Sequence, residues 1–367
     1  MADGHDIPAV ELERLGLHDP NAPHAAERLE LIQFLISLGA TDDDLVSYRT
    51  ELPGLASVLA IRGGPGLTVA EVAERSGVEE EKLLELNRLA GFPDPGPDDR
   101  VFAEDAVTVA QGMAAAEALF GQEAVMQLVR VLGSSMARVA NALVSAFLVN
   151  VEAGVRGSDP VEMGVARANA EAAALLPFVR DTIDSLLRRH LIAARRTILG
   201  EAADAGYETQ ALAVGFVDLV GSTALSQRLS TRELGAVLTE FENAAADTVT
   251  ARGGRVIKLI GDEVLFTAPD ADAGCSIALE LVRHFTDHPR VPPVRTGVAS
   301  GEVLLRDGDV FGPVVNLAAR AVKLADPCEM VTPPAVAEAA GLETELLGSQ
   351  VLKGFDTDVE LCRVRPG

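Results

Sequence analysis

The sequence contains no tryptophan and only two tyrosines, and aromatic residues make up 4% of its 367 positions. Proteins that grip single-stranded nucleic acid by stacking bases on aromatic platforms are excluded on that ground. The three cysteines, Cys275, Cys328 and Cys362, show no metal-type spacing and leave an odd count. This predicts a reducing compartment without disulfides, hence a cytoplasmic protein. Positive charge is scarce: 31 Lys and Arg stand against 55 Asp and Glu, a formal net charge of −24. Broad binding to nucleic acid or anionic membranes is not expected of such a chain. The sequence has no Gly-x4-Gly-Lys-Ser/Thr loop, no Gly-x-Gly-x-x-Gly turn after a strand, and no HExxH or HxH among its six histidines. P-loop, dinucleotide and zinc-hydrolase chemistry lose their usual signatures. No basic segment precedes an apolar run near the start, so no secretory signal is expected. The most apolar stretch, about Ala142 to Val151, reads as too short and too interrupted to span a bilayer.

What is present is ample apolar material, 48% of residues, enough for real cores. The length suggests two domains, and the pattern changes near Gly206. Before it the chain reads as helix almost throughout. Leu29, Ile32, Leu35 and Ile36 share one face of a helix over Ala25 to Leu38, and Gly39 stops it. Ser134 to Val155 and Pro160 to Leu199 are Ala-rich and periodic. After Gly206, Ala211 to Val220 is a buried-strand run. Ser230-x-x-Glu233 is a capping box opening an amphipathic helix. Arg255 to Ile260 and Glu263 to Ala268 flank the turn Gly261-Asp262. Further helix and strand segments alternate to the end, including a helix over Gly312 to Leu324. The expected architecture is an all-helical domain, residues 1–205, followed by an α+β domain, residues 206–367, with a sheet covered by helices.

Chemistry is expected in the second domain. Phe216-Val217-Asp218-Leu219-Val220-Gly221-Ser222-Thr223 carries a buried strand to a carboxylate, then into a helix start, where backbone N–H groups suit phosphate. Lys258-Leu259-Ile260-Gly261-Asp262 places a second acid at a hairpin tip. Two carboxylates at neighbouring strand ends suit a pair of Mg2+ or Mn2+ ions bridging phosphate oxygens. Either acid alone reads more readily as a turn or cap residue. In Asp309-Val310-Phe311-Gly312-Pro313-Val314-Val315-Asn316-Leu317-Ala318-Ala319-Arg320, Asn316 and Arg320 stand four apart and share one face of a helix.

Taken together, these segments resemble the class III nucleotidyl cyclase catalytic domain over about Thr209 to Val364. The resemblance implies a ferredoxin-like α+β fold. It implies metal positions at Asp218 and Asp262, with Leu219 beside the first, for two ions per site. It implies adenine contacts from Lys258 and Asp309, and transition-state contacts from Asn316 and Arg320. Gly221, Ser222 and Thr223 would lie along the phosphates, and Lys353 would bind the triphosphate. The implied reaction is conversion of ATP to 3′,5′-cyclic AMP and pyrophosphate. The implied assembly is a head-to-tail homodimer with the metal carboxylates from one chain and Lys258, Asp309, Asn316 and Arg320 from the other. Lys258 donates where adenine N1 accepts, and Asp309 accepts where the N6 amine donates, so ATP is expected over GTP.

Leu67 to Val78 and the helix to Ala90 resemble a helix-turn-helix. The second helix is acidic, opening Glu79-Glu80-Glu81, which predicts packing rather than DNA contact. A helical half ahead of a class III cyclase resembles the autoinhibited, pH-responsive adenylyl cyclases of mycobacteria. That likeness implies a proton or fatty-acid effector, with His5, His18, His24 and His190 as titratable groups. The alternative reading is a DNA- or ligand-binding regulator with a degenerate cyclase domain.

Overall fold

The structure, a computed structural model, describes residues 7–62, 64, 66–198 and 209–366. Internal contacts divide the chain into Met1–Thr197 and Ile198–Gly367. The break falls a few residues ahead of the expected 205–206, and residues 199–208 lie outside the described ones, as does His5.

The first unit is helical, as expected. Leu31, Ile32 and Leu35 of the helix Ala25–Ser37 are buried with Leu12, Leu17, Leu45, Leu55 and Ala166. A smaller core gathers Leu67, Val69, Val72, Leu83 and Ala110. The helix-turn-helix-like segment forms the helices Val69–Ser76 and Glu80–Leu89, the first opened by a Thr68–Glu71 capping box. Two expectations change. The helix read from Pro160 to Leu199 is two helices, Met163–Ala173 and Leu176–Ile198. Pro177 is the reason: its ring collides with the carbonyl four residues back, that of Ala173, where the first helix stops. The apolar stretch Ala142 to Val151 is not short or isolated. It belongs to a helical run, Gln122–Val155, long and apolar enough to cross a membrane by length and composition. The run comprises Gln122–Phe147, a π-helical turn Leu148–Glu152 and Ala153–Val155. It carries exposed Leu128, Leu132, Met136 and Leu143 at helical spacing, and Leu186, Leu187, Leu191 and Ile192 stand exposed on Leu176–Ile198.

The second unit is built on eight strands: β1 Thr209–Leu219, β2 Arg255–Ile260, β3 Glu263–Ala268, β4 Val294–Arg306, β5 Asp309–Phe311, β6 Met330–Thr332, β7 Glu345–Gln350 and β8 Val359–Val364. The sheet order is β2-β3-β1-β4-β6-β8-β7, with β5 on β4. Its first four strands and the helices Thr231–Ala251 and Ala271–Thr286 make the β-α-β-β-α-β unit of a ferredoxin-like fold. Those two helices cover one face over Val217, Leu219, Val264 and Phe266. The helix Pro313–Leu324 covers the other over Val214, Phe216, Leu265 and Ala299. This last helix lies so close to β4 that a Cβ on Gly297 would strike the backbone of Ala318 and Val322. β4 runs unbroken from Val294 to Arg306, through Gly301.

Candidate active site

β1 ends on its acid. Ala213 to Val217 are buried on alternating faces, and Asp218 emerges on the face covered by Pro313–Leu324. Register places it opposite Glu263 of β3 and Arg295 of β4. Arg295 donates to Asp218 Oδ2, through Nε at 2.7 Å and a terminal nitrogen at 2.6 Å. The hairpin turn brings Asp262 alongside: its carbonyl accepts the Leu219 N–H at 3.2 Å, and its carboxylate accepts the Ser222 hydroxyl. Gly261 makes that turn with φ of +66°, which a side chain would strain. Gly221 likewise adopts the left-handed conformation, φ +75°, ahead of the short helix Ser222–Arg228. Thr223 is exposed on its first turn.

Three carboxylates therefore share one corner. Burial pushes the Glu263 carboxyl above its ordinary pKa, and the charges of Asp218 and Asp262 add to the effect, with Lys323 and Arg295 opposing. Such concentrated negative charge, carried only on oxygen, is the chemistry of a hard divalent cation. Among the described residues no three His, Cys, Asp or Glu form a ready metal cluster. The fit is with Mg2+-type binding, in which one or two carboxylates hold the ion and substrate phosphates and water complete its shell.

The second group lies elsewhere in the chain. A bulge falls between Val256 and Lys258, and Lys258, Leu259 and Ile260 are exposed in succession on this edge strand. β5 pairs with the far end of β4, Asp309 facing Arg306. Lys258 Nζ reaches Asp309 Oδ2 at 2.5 Å, while Asp309 Oδ1 accepts the Val310 N–H at 2.8 Å. Asn316 and Arg320 occupy the helix that follows Gly312. Asn316 is exposed, and Arg320 is half-buried, its Nε buried without a hydrogen-bond partner among the described residues. A guanidinium N–H in that state is poised for an anionic oxygen.

Within the chain, no hydrogen bond or ion pair among the described residues joins Asp218 or Asp262 to Lys258, Asp309, Asn316 or Arg320. By register the acids sit at the Arg295 end of β4 and Asp309 at its Arg306 end. Lys353 is exposed in the turn between β7 and β8, away from any ion pair with the other site residues among those described. Sequence reading missed Arg295 and Glu263. The available signal was a charge inside each apolar strand, Val294-Arg295-Thr296-Gly297-Val298 and Glu263-Val264-Leu265-Phe266.

In the first unit the basic residues of the helix-turn-helix-like segment are occupied. Lys82 pairs with Glu117, Arg88 with Asp94 and Arg75 with Glu104. His18 Nδ1 is buried without a partner, His24 faces Glu27 at 3.4 Å, and His190 is exposed.

Residues 11–194 match the adenylate cyclase regulatory domain. An adenylate cyclase of Streptomyces coelicolor is 34% identical over 87% of this chain and 76% of its own length. A pH-sensitive adenylate cyclase of Mycobacterium tuberculosis is 30% identical over 96% of this chain and 91% of its own. An uncharacterised M. tuberculosis protein is 34% identical over 98% and 94%. Among solved structures, an adenylyl cyclase of P. aeruginosa is similar at 23% identity and a TM-score of 0.40, covering 44% of this chain and 97% of that one.

Proposed function

We propose that this chain, which belongs to the adenylate cyclase family, cyclises ATP by two-ion catalysis at sites shared between two copies, under control of its helical half. The preformed Lys258–Asp309 pair carries the reading. It presents a donor beside an acceptor at one exposed edge, the complement of adenine N1 and N6.

Asp218 and Asp262 would hold two Mg2+ or Mn2+ ions, which supply Lewis-acid charge at the ribose 3′-hydroxyl and the triphosphate. The 3′-oxygen attacks the α-phosphorus, and pyrophosphate leaves. Arg320 turns its unpartnered N–H toward charge developing on the α-phosphoryl oxygens, an electrostatic contribution strongest where water is excluded. Asn316 hydrogen-bonds the ribose and holds the attacking oxygen in line. Gly221, Ser222 and Thr223 line the phosphates, and Lys353 meets the triphosphate from its exposed turn. Arg295 holds the Asp218 carboxylate in place at the acid corner.

Two observations support a homodimer. The acids and the base-reading pair lie at opposite ends of β4, so one chain offers half of each site. The first unit carries exposed apolar stripes on Gln122–Phe147 and Leu176–Ile198, surface that monomers seldom leave in water. Control by the helical half and release by acid rest on the kinship, a cytoplasmic location rests on the cysteine usage, and a fatty acid is a second candidate effector.

The test is cyclic nucleotide production by the full chain with Mn2+ and either ATP or GTP. Cyclic AMP from ATP, with GTP a poor substrate, is expected. Binding of ATP without turnover would favour the alternative, a regulator with a degenerate cyclase domain.

A further inference from the structure

The loop between the Ala271–Thr286 helix and β4 has no part in the proposed cyclisation so far, yet it delivers Arg295. His288 sits in it with 16% of its side chain exposed. Nδ1 of His288 accepts the backbone N–H of Val291 at 3.0 Å and faces that of Arg290 at 3.4 Å. An imidazole nitrogen that accepts carries no proton, so the neutral ring bears its proton on Nε2. Nε2 faces Glu240 Oε1, on the Thr231–Ala251 helix, at 3.5 Å. Arg290 donates to the same Glu240 oxygen at 2.9 Å. On the other side the His284 ring is stacked at 5.6 Å, and the Phe285 ring meets the imidazole edge-on at 5.6 Å. The charged and titratable groups around the ring are thus Glu240 from one helix, Arg283 and His284 from the last turn of the other, and Asp287 and Arg290 from the loop itself.

The rest of the loop is stiff. Pro289, Pro292 and Pro293 each fix φ, and Val291 is buried among the core residues. The Pro293 carbonyl accepts the Val220 N–H at 3.0 Å, the Val294 carbonyl accepts the Cys328 N–H at 2.9 Å, and the next residue is Arg295 on Asp218. A turn held at His288 is therefore tied through a short, constrained arm to the acid corner of the site.

We propose that His288, held as the neutral Nε2–H tautomer, is a positioning residue for cyclisation: it clamps the Asp287–Pro293 turn that sets Arg295 against Asp218, and its protonation opens the clamp. A second proton on Nδ1 would set one N–H against two others. The cap would be lost and the ring would turn toward Glu240. The clamp is closed while the ring is neutral and open once Nδ1 is protonated. The proposal rests on Asp218 and Arg295 belonging to the cyclase site.

The test uses the full chain with His288→Asn and His288→Ala. Asn offers an oxygen at the Nδ1 position and does not titrate; Ala removes the cap. At pH 8, His288→Asn is expected to keep kcat within about twofold, because an acceptor remains. The ratio of its kcat to that of the parent should then rise several-fold as the pH is lowered from 8 to 5.5. Taking the ratio cancels any acid response originating in the helical half. His288→Ala should lose at least about tenfold in kcat at pH 8, since small misplacements remote from the chemistry carry such costs. Hydrogen exchange of the segment 287–296, corrected for intrinsic rates, supplies a readout independent of turnover. The parent should lose protection between pH 8 and pH 5.5, and His288→Asn should keep it. A flat kcat ratio, or identical exchange in parent and His288→Asn, overturns the proposal even where His288→Ala fails to fold. Loss of all activity in the parent with the exchange pattern intact would instead overturn the cyclase-site reading and leave the clamp standing.

Discussion

Arg295 and Asp218 face each other across the β1–β4 pair, and the guanidinium donates to the carboxylate at 2.7 Å. β4 thus delivers a cation to the acid near the end of its neighbour β1. With Glu263 opposite Asp218 on the other side and Asp262 at the adjacent turn, the corner holds three carboxylates on few cations. Carboxylate charge concentrated in this way suits a hard divalent cation.

Asp218→Ala and Asp262→Ala are expected to reduce cyclic AMP formation at least about a hundredfold, comparable to removing one strong electrostatic element of a catalytic site. Both variants should stay folded, because each acid lies at a strand end or turn. Rates with Mn2+–ATP, beside circular dichroism of the same samples, check this. A folded variant with near-parental turnover contradicts the two-ion assignment.

Base choice should follow the Lys258–Asp309 pair. Lys258→Glu combined with Asp309→Cys removes the donor and the acceptor of the adenine edge, and the ratio of kcat/KM for ATP to that for GTP should fall by at least about tenfold, the scale of one mispaired polar contact. Competition between the two nucleotides in one reaction reports the ratio directly. An unchanged ratio takes both residues out of base recognition.

The helical unit carries its own acid dependence. Hydrogen bonding to Arg62 holds the Asp44 carboxyl at about 2, against an ordinary 3.8, with the Thr41 backbone and hydroxyl assisting. A depressed folded-state pKa means stability that is present above pH 4 and lost as pH falls through 2. The amount is about 2 kcal/mol, because a tenfold change in proton affinity is worth about 1.4 kcal/mol. Arg62→Met should lower the unfolding midpoint of this unit at pH 7 and flatten its decline between pH 4 and pH 2. Since that window lies below mild acid, Asp44 is not a sensor near pH 6. A stability that declined identically in parent and variant would contradict the assignment.

Much of this was legible before the fold was known. The hairpin Arg255–Ile260 and Glu263–Ala268, the Ser230–Glu233 capping box and the start of the Pro313 helix follow from local turn and cap chemistry. Local chemistry acts the same way in a peptide and in a protein. Arg295, Glu263 and His288 were not legible, because their roles come from partners dozens of residues away across a sheet or between helices. The length of the Gln122–Val155 run was missed for a different reason: Gly133-Ser134-Ser135 reads as a turn signal inside it, and the widened turn at Leu148–Glu152 hides the helical period.

Removing the helical half tests regulation. Residues 206–367 should show higher activity at neutral pH than the full chain and a flatter dependence on acid. A bias of about 1–3 kcal/mol between two arrangements suffices for several-fold control. Equal activity with parallel pH profiles, at concentrations where both proteins are dimers, would make the first unit a passive scaffold.

The central claim is that each site draws its acids from one chain and its Asn316, Arg320 and base-reading pair from another. Asp218→Ala and Arg320→Ala, each inactive alone, put their lesions on opposite walls of such a site. Mixing them, with subunit exchange followed by mass, measures the claim directly. Recovery approaching one intact site per heterodimer, about a quarter of the parental rate after random exchange of equal amounts, is the predicted result. Exchange without recovery would place each complete site within a single chain and contradict the account.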